Sequence, residues 1–232
     1  MADYRFRYFT PGHETPLCGH ATIAAVSALM EGVHETGIQK LAIETGIGVI
    51  RVSWDFATRE VTMEQGDAAF LEFEGNKEAL LGALGLSIQD YDERYPIVYG
   101  STGSWTTIVP IRSRECFGRM KPQTKEFPAI LEQNSHASIH PMTMDCVDSH
   151  CFMHGRHFSS PYSGTIEDAV TGTASGVMGA YYLQYMCKKE KAEFYVEQGY
   201  EINREGSIHV FAKKNGHRIQ VRIAGCAVKM DA

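Results

Sequence analysis

Two short stretches of the chain gather residues that can move protons. The first holds His13, Glu14, Cys18 and His20, and the second holds Glu167, Asp168, Thr171 and Thr173. Histidine titrates near neutrality and can give or take a proton. Each group sits beside a glycine, Gly19 or Gly172, that opens an apolar run of helical character. A helix start presents unbonded N–H groups and the positive end of the dipole, so each turn could hold a carboxylate or phosphate. Two such turns facing each other could grip one small acid. The same field should lower the pKa of His20 and Cys18, favouring neutral imidazole and easier thiolate, and keep Asp168 ionised. The plainer alternative is two ordinary helix starts, capped by Thr171 or Thr173.

These stretches are copies of one another. Arg7 and Phe9 match Arg156 and Phe158, and Thr10 matches Ser159. After a loop about four residues longer in the second copy, Gly19 matches Gly172, Ala21 matches Ala174 and Thr22 matches Ser175. The order strand, loop, glycine, small residues, apolar helix is kept in both, which reads as a duplication. A matched pair of turns favours a shared site over two unrelated caps.

The elements that carry the turns follow from local pattern. Tyr4–Thr10 and Cys151–Phe158 are aromatic-rich runs suited to strands. Helices are expected over Ala21–Met30 and Ala174–Met186, each opening at its glycine. Both are apolar on nearly every face, the mark of a buried helix. Further strands are expected at Leu41–Glu44, Gly48–Trp54, Glu60–Gln65, Ile97–Tyr99, Thr106–Ile111, Ala192–Gln198, Ser207–Ala212 and Arg218–Ile223. Turn signals such as Asn215-Gly216 favour antiparallel hairpins. Asn76–Leu84 reads as a surface helix ended by Gly85, with Ser87 capping a further turn; Thr124–Gln133 reads as a helix broken near Pro128. The fold class is therefore α+β, with two pseudo-symmetric lobes, residues 1–95 and 96–232, each a strand layer around one central helix. Only six residues precede Arg7, against about 60 between Pro96 and Arg156. The N-terminal lobe accordingly reads as incomplete, as though a strand-and-helix unit were cut away, and an uncovered edge there would invite a second chain.

Composition narrows the classes. The 232 residues are 44% hydrophobic and 22% charged, enough apolar surface for a folded core. No apolar run is long enough for a membrane helix, and the first ten residues lack a signal core. A net charge of −6 without basic clusters argues against nucleic acid. The six scattered cysteines suit a reducing cytoplasm. His136, His140, His150, Cys151, His154 and His157 crowd one region, but Pro141 opposes a helix there, and His154 and His157 fall on opposite strand faces. No metal site is expected. Gly100–Trp105 lacks the lysine of a phosphate loop and reads as a turn into the next strand, at the cleft's edge.

FTPGHETPLCGHAT (Phe9–Thr22) and EDAVTGTASG (Glu167–Gly176) together resemble the phenazine-biosynthesis PhzF-like family, which has the diaminopimelate-epimerase-like fold. The resemblance implies two lobes, each a mostly antiparallel, barrel-like sheet around a central helix. Between them would lie the site of a cofactor-independent isomerase for small carboxylic acids, commonly a homodimer. It implies catalytic roles for His20, Asp168 and Thr173, and substrate N–H contacts from Gly19 and Gly172. Glu14 is a family motif residue and is counted with the catalytic set; Cys18 and Thr171 are counted with the substrate-binding set. Cys18 matches one of the two cysteines of the related amino-acid epimerases, and Thr171 stands where the second would be, which disfavours a two-thiol racemase. Ala169 replaces the family's proline and Thr173 its serine. The family's general acid/base glutamate lies in an Asn-x-Ser-Glu-Thr string upstream of the first motif, and this sequence has no such string. The alternatives are a small-acid-binding protein without turnover, or a racemase using Cys18.

Overall fold

The computed structural model describes residues 1–228. Its frame is one long mixed sheet. The strands run in the order Tyr4–Arg5, Ile38–Thr45, Gly48–Asp55, Val61–Glu64, Arg218–Gly225, Gly206–Asn215, Lys191–Gln198, Cys151–Gly155, Ser138–Thr143, Trp105–Pro110, Val98–Ser101 and Ala69–Glu72. Most neighbours are antiparallel, as the hairpin signals require, and Gly216 turns the Asn215–Arg218 hairpin with φ +62°. The exceptions are parallel: Tyr4–Arg5 on Ile38–Thr45, Ser138–Thr143 on Trp105–Pro110, and Cys151–Gly155 on Lys191–Gln198. The last strand joins the two halves, because Arg218–Gly225 pairs with Val61–Glu64.

The fold is α+β, with the repeat visible in space. The two aromatic runs are not single strands. Tyr4–Thr10 splits into Tyr4–Arg5 and Tyr8–Phe9, and Cys151–Phe158 splits into Cys151–Gly155 and His157–Phe158. The second member of each run folds back on its own loop. Tyr8–Phe9 pairs with Glu14–Thr15, and His157–Phe158 pairs with Glu167–Asp168. Arginine closes both ribbons. Arg7 holds Glu14 through two bonds of 2.9 Å and lies 4.9 Å from the Phe9 ring centre. Arg156 holds Glu167 at 2.8 and 2.7 Å and lies 4.8 Å from the Phe158 ring centre. The first clasp is exposed and the second buried.

The two long helices differ in cover. Gly172–Tyr181 is buried along nearly its whole length, against Val210, Val221 and Ile223, and then loosens into a π turn at Tyr182–Met186. Gly19–Met30 buries Thr22, Ile23 and Val26, whereas Ala24, Ala28 and Leu29 are exposed. The expectation of a wholly buried first helix fails. Two of its four exposed positions, Ala24 and Ala28, are alanines, apolar by type but adding little apolar surface to the solvent side.

A second core gathers Phe73, Leu80, Leu81, Leu84, Tyr99, Phe117, Phe127, Ile139 and Phe158. The helix Lys77–Ala83 contributes Leu80 and Leu81 to it and leaves Lys77, Glu78, Ala79 and Gly82 exposed, one buried stripe of a surface helix. Asn76 caps it by accepting from Ala79 N at 2.9 Å, and Gly85 ends it at φ +76°. Ser87 and Asp90 form the capping box of the next turn. Thr124–Gln133 is a chain of single turns, with one α turn at Phe127–Ile130. Among the described residues no helix is long and apolar enough to cross a membrane.

Candidate active site

The starts of the two long helices touch. A Cβ placed on Gly19 would lie 3.2 Å from Gly172 Cα, and one on Gly172 would lie 3.5 Å from Gly19 Cα and 2.5 Å from Ile223 Cδ1. A side chain at Gly19 would press on the facing turn, and one at Gly172 would displace the end of Ile223. The N-cap residues, Cys18 and Thr171, are extended, and neither side chain caps its helix. The plainer alternative, a cap from the Thr171 side chain, does not form, because its hydroxyl donates instead to Asp168 Oδ2 at 2.7 Å. Thr173 lies within the first turn and no side-chain cap comes from it either. Two converging positive helix ends with uncapped N–H groups favour a bound anion.

Two buried glutamines hold the second turn in place. Gln65 Nε2 donates to Gly172 O at 3.0 Å, while Thr102 Oγ1 donates to Gln65 Oε1 at 2.7 Å. Gln198 Nε2 donates to Asp168 O at 2.6 Å, and its Oε1 accepts from Thr171 N at 3.2 Å. Neither residue is marked by its local sequence. Each lies near the end of a strand and acts on a turn distant in the chain. The nearest signal is Gly176, where a Cβ would overlap Gln65 Oε1.

Cys18, Gly19, His20, Asp168, Thr171, Gly172 and Thr173 all line one cleft of about 470 Å³, joined by Trp105, Ser138 and His157. His20 is its central charge. Its Nε2 lies 3.5 Å from Cys18 Sγ and its Nδ1 lies 3.6 Å from Asp168 Oδ2. The Cys18 contact, followed by the charge of Asp168 and the Val170 carbonyl, raises the His20 pKa to about 9. The expected lowering by the helix start is thus reversed, since two negative or accepting partners within 4 Å outweigh the dipole. His20 is an imidazolium at neutral pH and a proton donor.

Glu14 stands apart. It is not among the cleft-lining residues, and both its oxygens accept from Arg7, which lowers its pKa. The histidine-rich region is likewise dispersed. His154 is fully buried between Glu197 at 2.8 Å and Glu201 at 3.0 Å, His136 stacks on Tyr162, and His150 contacts Asp148. Among the described residues no group of three or more His, Cys, Asp or Glu is arranged to hold a metal ion. Ser104 and Trp105 lie at the cleft edge, and Thr102 within the same turn locks Gln65.

The chain is similar to known proteins over nearly its whole length. The family model described as phenazine biosynthesis-like protein (PhzC-PhzF) matches residues 1–232. The uncharacterized isomerase YfhB of Bacillus subtilis is 46% identical over 230 residues, 98% of this chain and 78% of that protein. A trans-2,3-dihydro-3-hydroxyanthranilate isomerase of Pseudomonas aeruginosa is 27% identical over 234 residues, covering 96% and 76%. The crystal structure of a Bacillus anthracis phenazine biosynthesis protein of the PhzF family superposes with a TM-score of 0.88 at 45% identity, covering 96% and 77%. A hydroxyproline epimerase from Agrobacterium vitis shares the fold alone, with a TM-score of 0.62 at 12% identity and cover of 96% and 67%.

Proposed function

We propose, for a chain that belongs to the phenazine biosynthesis-like (PhzC-PhzF) family and is an isomerase of that family, that it moves a proton between carbons of a small, unsaturated carboxylic acid without a cofactor. The observation carrying this reading is the meeting of two uncapped helix starts directly beside the His20–Asp168 pair. The helix ends receive the carboxylate. The arginines compete little for it: Arg7 is occupied by Glu14 and Arg156 by Glu167. Asp168, oriented by Thr171 and by Gln198 through its backbone, lines the cleft beside the helix ends. His20, cationic at neutral pH, supplies a proton as the double bond shifts. Thr173 offers a hydroxyl in the same turn. The substrate of the Pseudomonas relatives, trans-2,3-dihydro-3-hydroxyanthranilate, is an acid of this class.

Proton NMR in D₂O tests the reading on a panel of small unsaturated acids. Deuterium uptake at carbon that disappears in His20→Ala supports it. Ligand-dependent line broadening with no exchange would instead identify a binding protein without turnover.

A further inference from the structure

One histidine of the crowded region lies in the core rather than in the cleft. His154 is fully buried in Cys151–Gly155, beside its strand partner Glu197. Its Nδ1 lies 2.8 Å from Glu197 Oε1 and its Nε2 lies 3.0 Å from Glu201 Oε1. The Phe117 ring meets it edge-on at 4.8 Å between centres. Glu197 also accepts the backbone N–H of Val147 at 2.6 Å and of Asp148 at 2.9 Å. Burial alone would raise the pKa of Glu201, but the bond from His154 outweighs it, the charge of Arg156 adds to it, and the net shift is downward. Both carboxylates therefore accept, and His154 donates from both ring nitrogens, as the cationic ring does. One ring ties together two glutamates four residues apart.

The residues between those glutamates hold the active-site turn. Gln198 donates to Asp168 O and accepts from Thr171 N. Gly199, at φ +92°, leads into the turn Tyr200–Ile202, and a Cβ on it would lie 2.9 Å from Ala169 O. Arg204 N donates to Gly199 O at 3.0 Å and closes the loop. Where the loop ends, a Cβ on Gly206 would lie 2.7 Å from Val170 Cγ2. The loop thus backs Ala169 and Val170, the two residues between Asp168 and Thr171. The Val170 carbonyl is in turn one of the groups that hold the proton of His20, after the Cys18 contact and the charge of Asp168. A misplacement of about 1 Å in such a turn can cost about 10²-fold in rate.

We propose that His154 is a positioning residue for the cleft: by donating to Glu197 and Glu201 at once, it pins the loop that sets Asp168 and the Val170 carbonyl against His20. His154 is not among the cleft-lining residues, so it acts only through this loop. Its role in the reaction rests on the isomerase reading above, but the pin is measurable without turnover. The charged groups around the ring are Glu197, Glu201 and, beyond Glu201, Arg156, which Glu167 holds.

NMR titration of the His20 ring in the full chain tests the pin, from a wild-type midpoint of about 9. Glu201→Asp keeps the charge but is one methylene too short to reach His154. Its His20 midpoint should fall by ~0.5 in pH, and no further, because the Cys18 contact supplies most of the rise. Glu201→Gln loses the charge but keeps an oxygen for the His154 N–H, so its midpoint should stay within ~0.2 of wild type. No movement in Glu201→Asp, or a fall in Glu201→Gln as large as the one in Glu201→Asp, overturns the proposal. If Glu201→Asp does not fold, His154→Gln takes its place. Losing a cation would by charge alone raise the His20 midpoint, whereas losing the pin lowers it, so an unchanged or raised value overturns the proposal. Deuterium uptake from D₂O into trans-2,3-dihydro-3-hydroxyanthranilate then reads the effect on rate. Glu201→Asp should lower kcat about 10–10²-fold with KM within a few-fold, and a kcat within about threefold of wild type overturns the role in the reaction. A wild type that does not label this acid fails the isomerase reading for that acid, and the His20 midpoints alone then decide the pin.

Discussion

Replacing Gly176 by alanine adds one methyl group at the point where the second helix meets the amide that holds its own first turn. The new Cβ would overlap Gln65 Oε1 and approach Gln65 Cδ to 2.8 Å and Val221 Cγ1 to 3.0 Å. Gln65 cannot swing aside freely, because Thr102 grips its oxygen at 2.7 Å and Gly172 O its nitrogen at 3.0 Å. Overpacking of this kind costs about 1–3 kcal/mol. Losing the bond to Gly172 O would leave the buried Gln65 amide N–H without that partner, for about 1–3 kcal/mol more. A loss of about 3 kcal/mol lowers the melting temperature of a chain this size by roughly 6–12 °C. Denaturant unfolding of Gly176→Ala, Gln65→Ala and the double variant measures it. In the double variant the alanine at 65 removes the obstacle, so the combined loss should fall at least ~1 kcal/mol short of the sum. Gly176→Ala within ~0.5 kcal/mol of wild type, or strict additivity, would refute the packing argument.

Further outcomes follow from the same geometry. Arg156→Ala leaves Glu167 buried and unpaired and should cost about 3–5 kcal/mol, whereas the exposed equivalent Arg7→Ala should leave the melting temperature unchanged; equal effects would show that burial does not distinguish the clasps. The raised pKa of His20 stabilises the fold fully below pH 6.5, and that contribution is lost as pH rises through about 9; Cys18→Ala should move the His20 titration, read by NMR, back towards neutrality, and an unmoved midpoint would contradict the assigned cause. His157 runs the other way: its neutral form supports the fold above pH 6.5, and stability should fall between pH 6.5 and about 4, a slope that His157→Gln should reduce.

Much of this site was legible because its parts are local. The Gly19 and Gly172 turns, His20 and Asp168 are read from short motifs, and matching Arg7 and Phe9 to Arg156 and Phe158 identified one side of each clasp. The acidic partners, Glu14 and Glu167, fall at the same offset once the longer loop is counted, yet only the folded ribbons show them gripped by arginine. Long-range effects were hidden. Ser138–Thr143 carries Pro141 and is buried on both faces, so no alternation marks it as a strand. Ala69–Glu72 is a largely exposed edge strand with little pattern. Gln65 and Gln198 act on backbone far away in sequence, and the charge of His20 depends on contacts with Cys18 and Asp168 that local pattern does not measure.

The central claim is that this cleft shuttles a proton on carbon with Asp168 at its centre. The most direct measurement is the rate of deuterium incorporation from D₂O into trans-2,3-dihydro-3-hydroxyanthranilate, for the wild type and for Asp168→Asn. The account predicts labelling at carbon by the wild type and a loss of about 10²–10⁴-fold in the amide variant, with the fold intact by circular dichroism. Equal labelling by both proteins would contradict it.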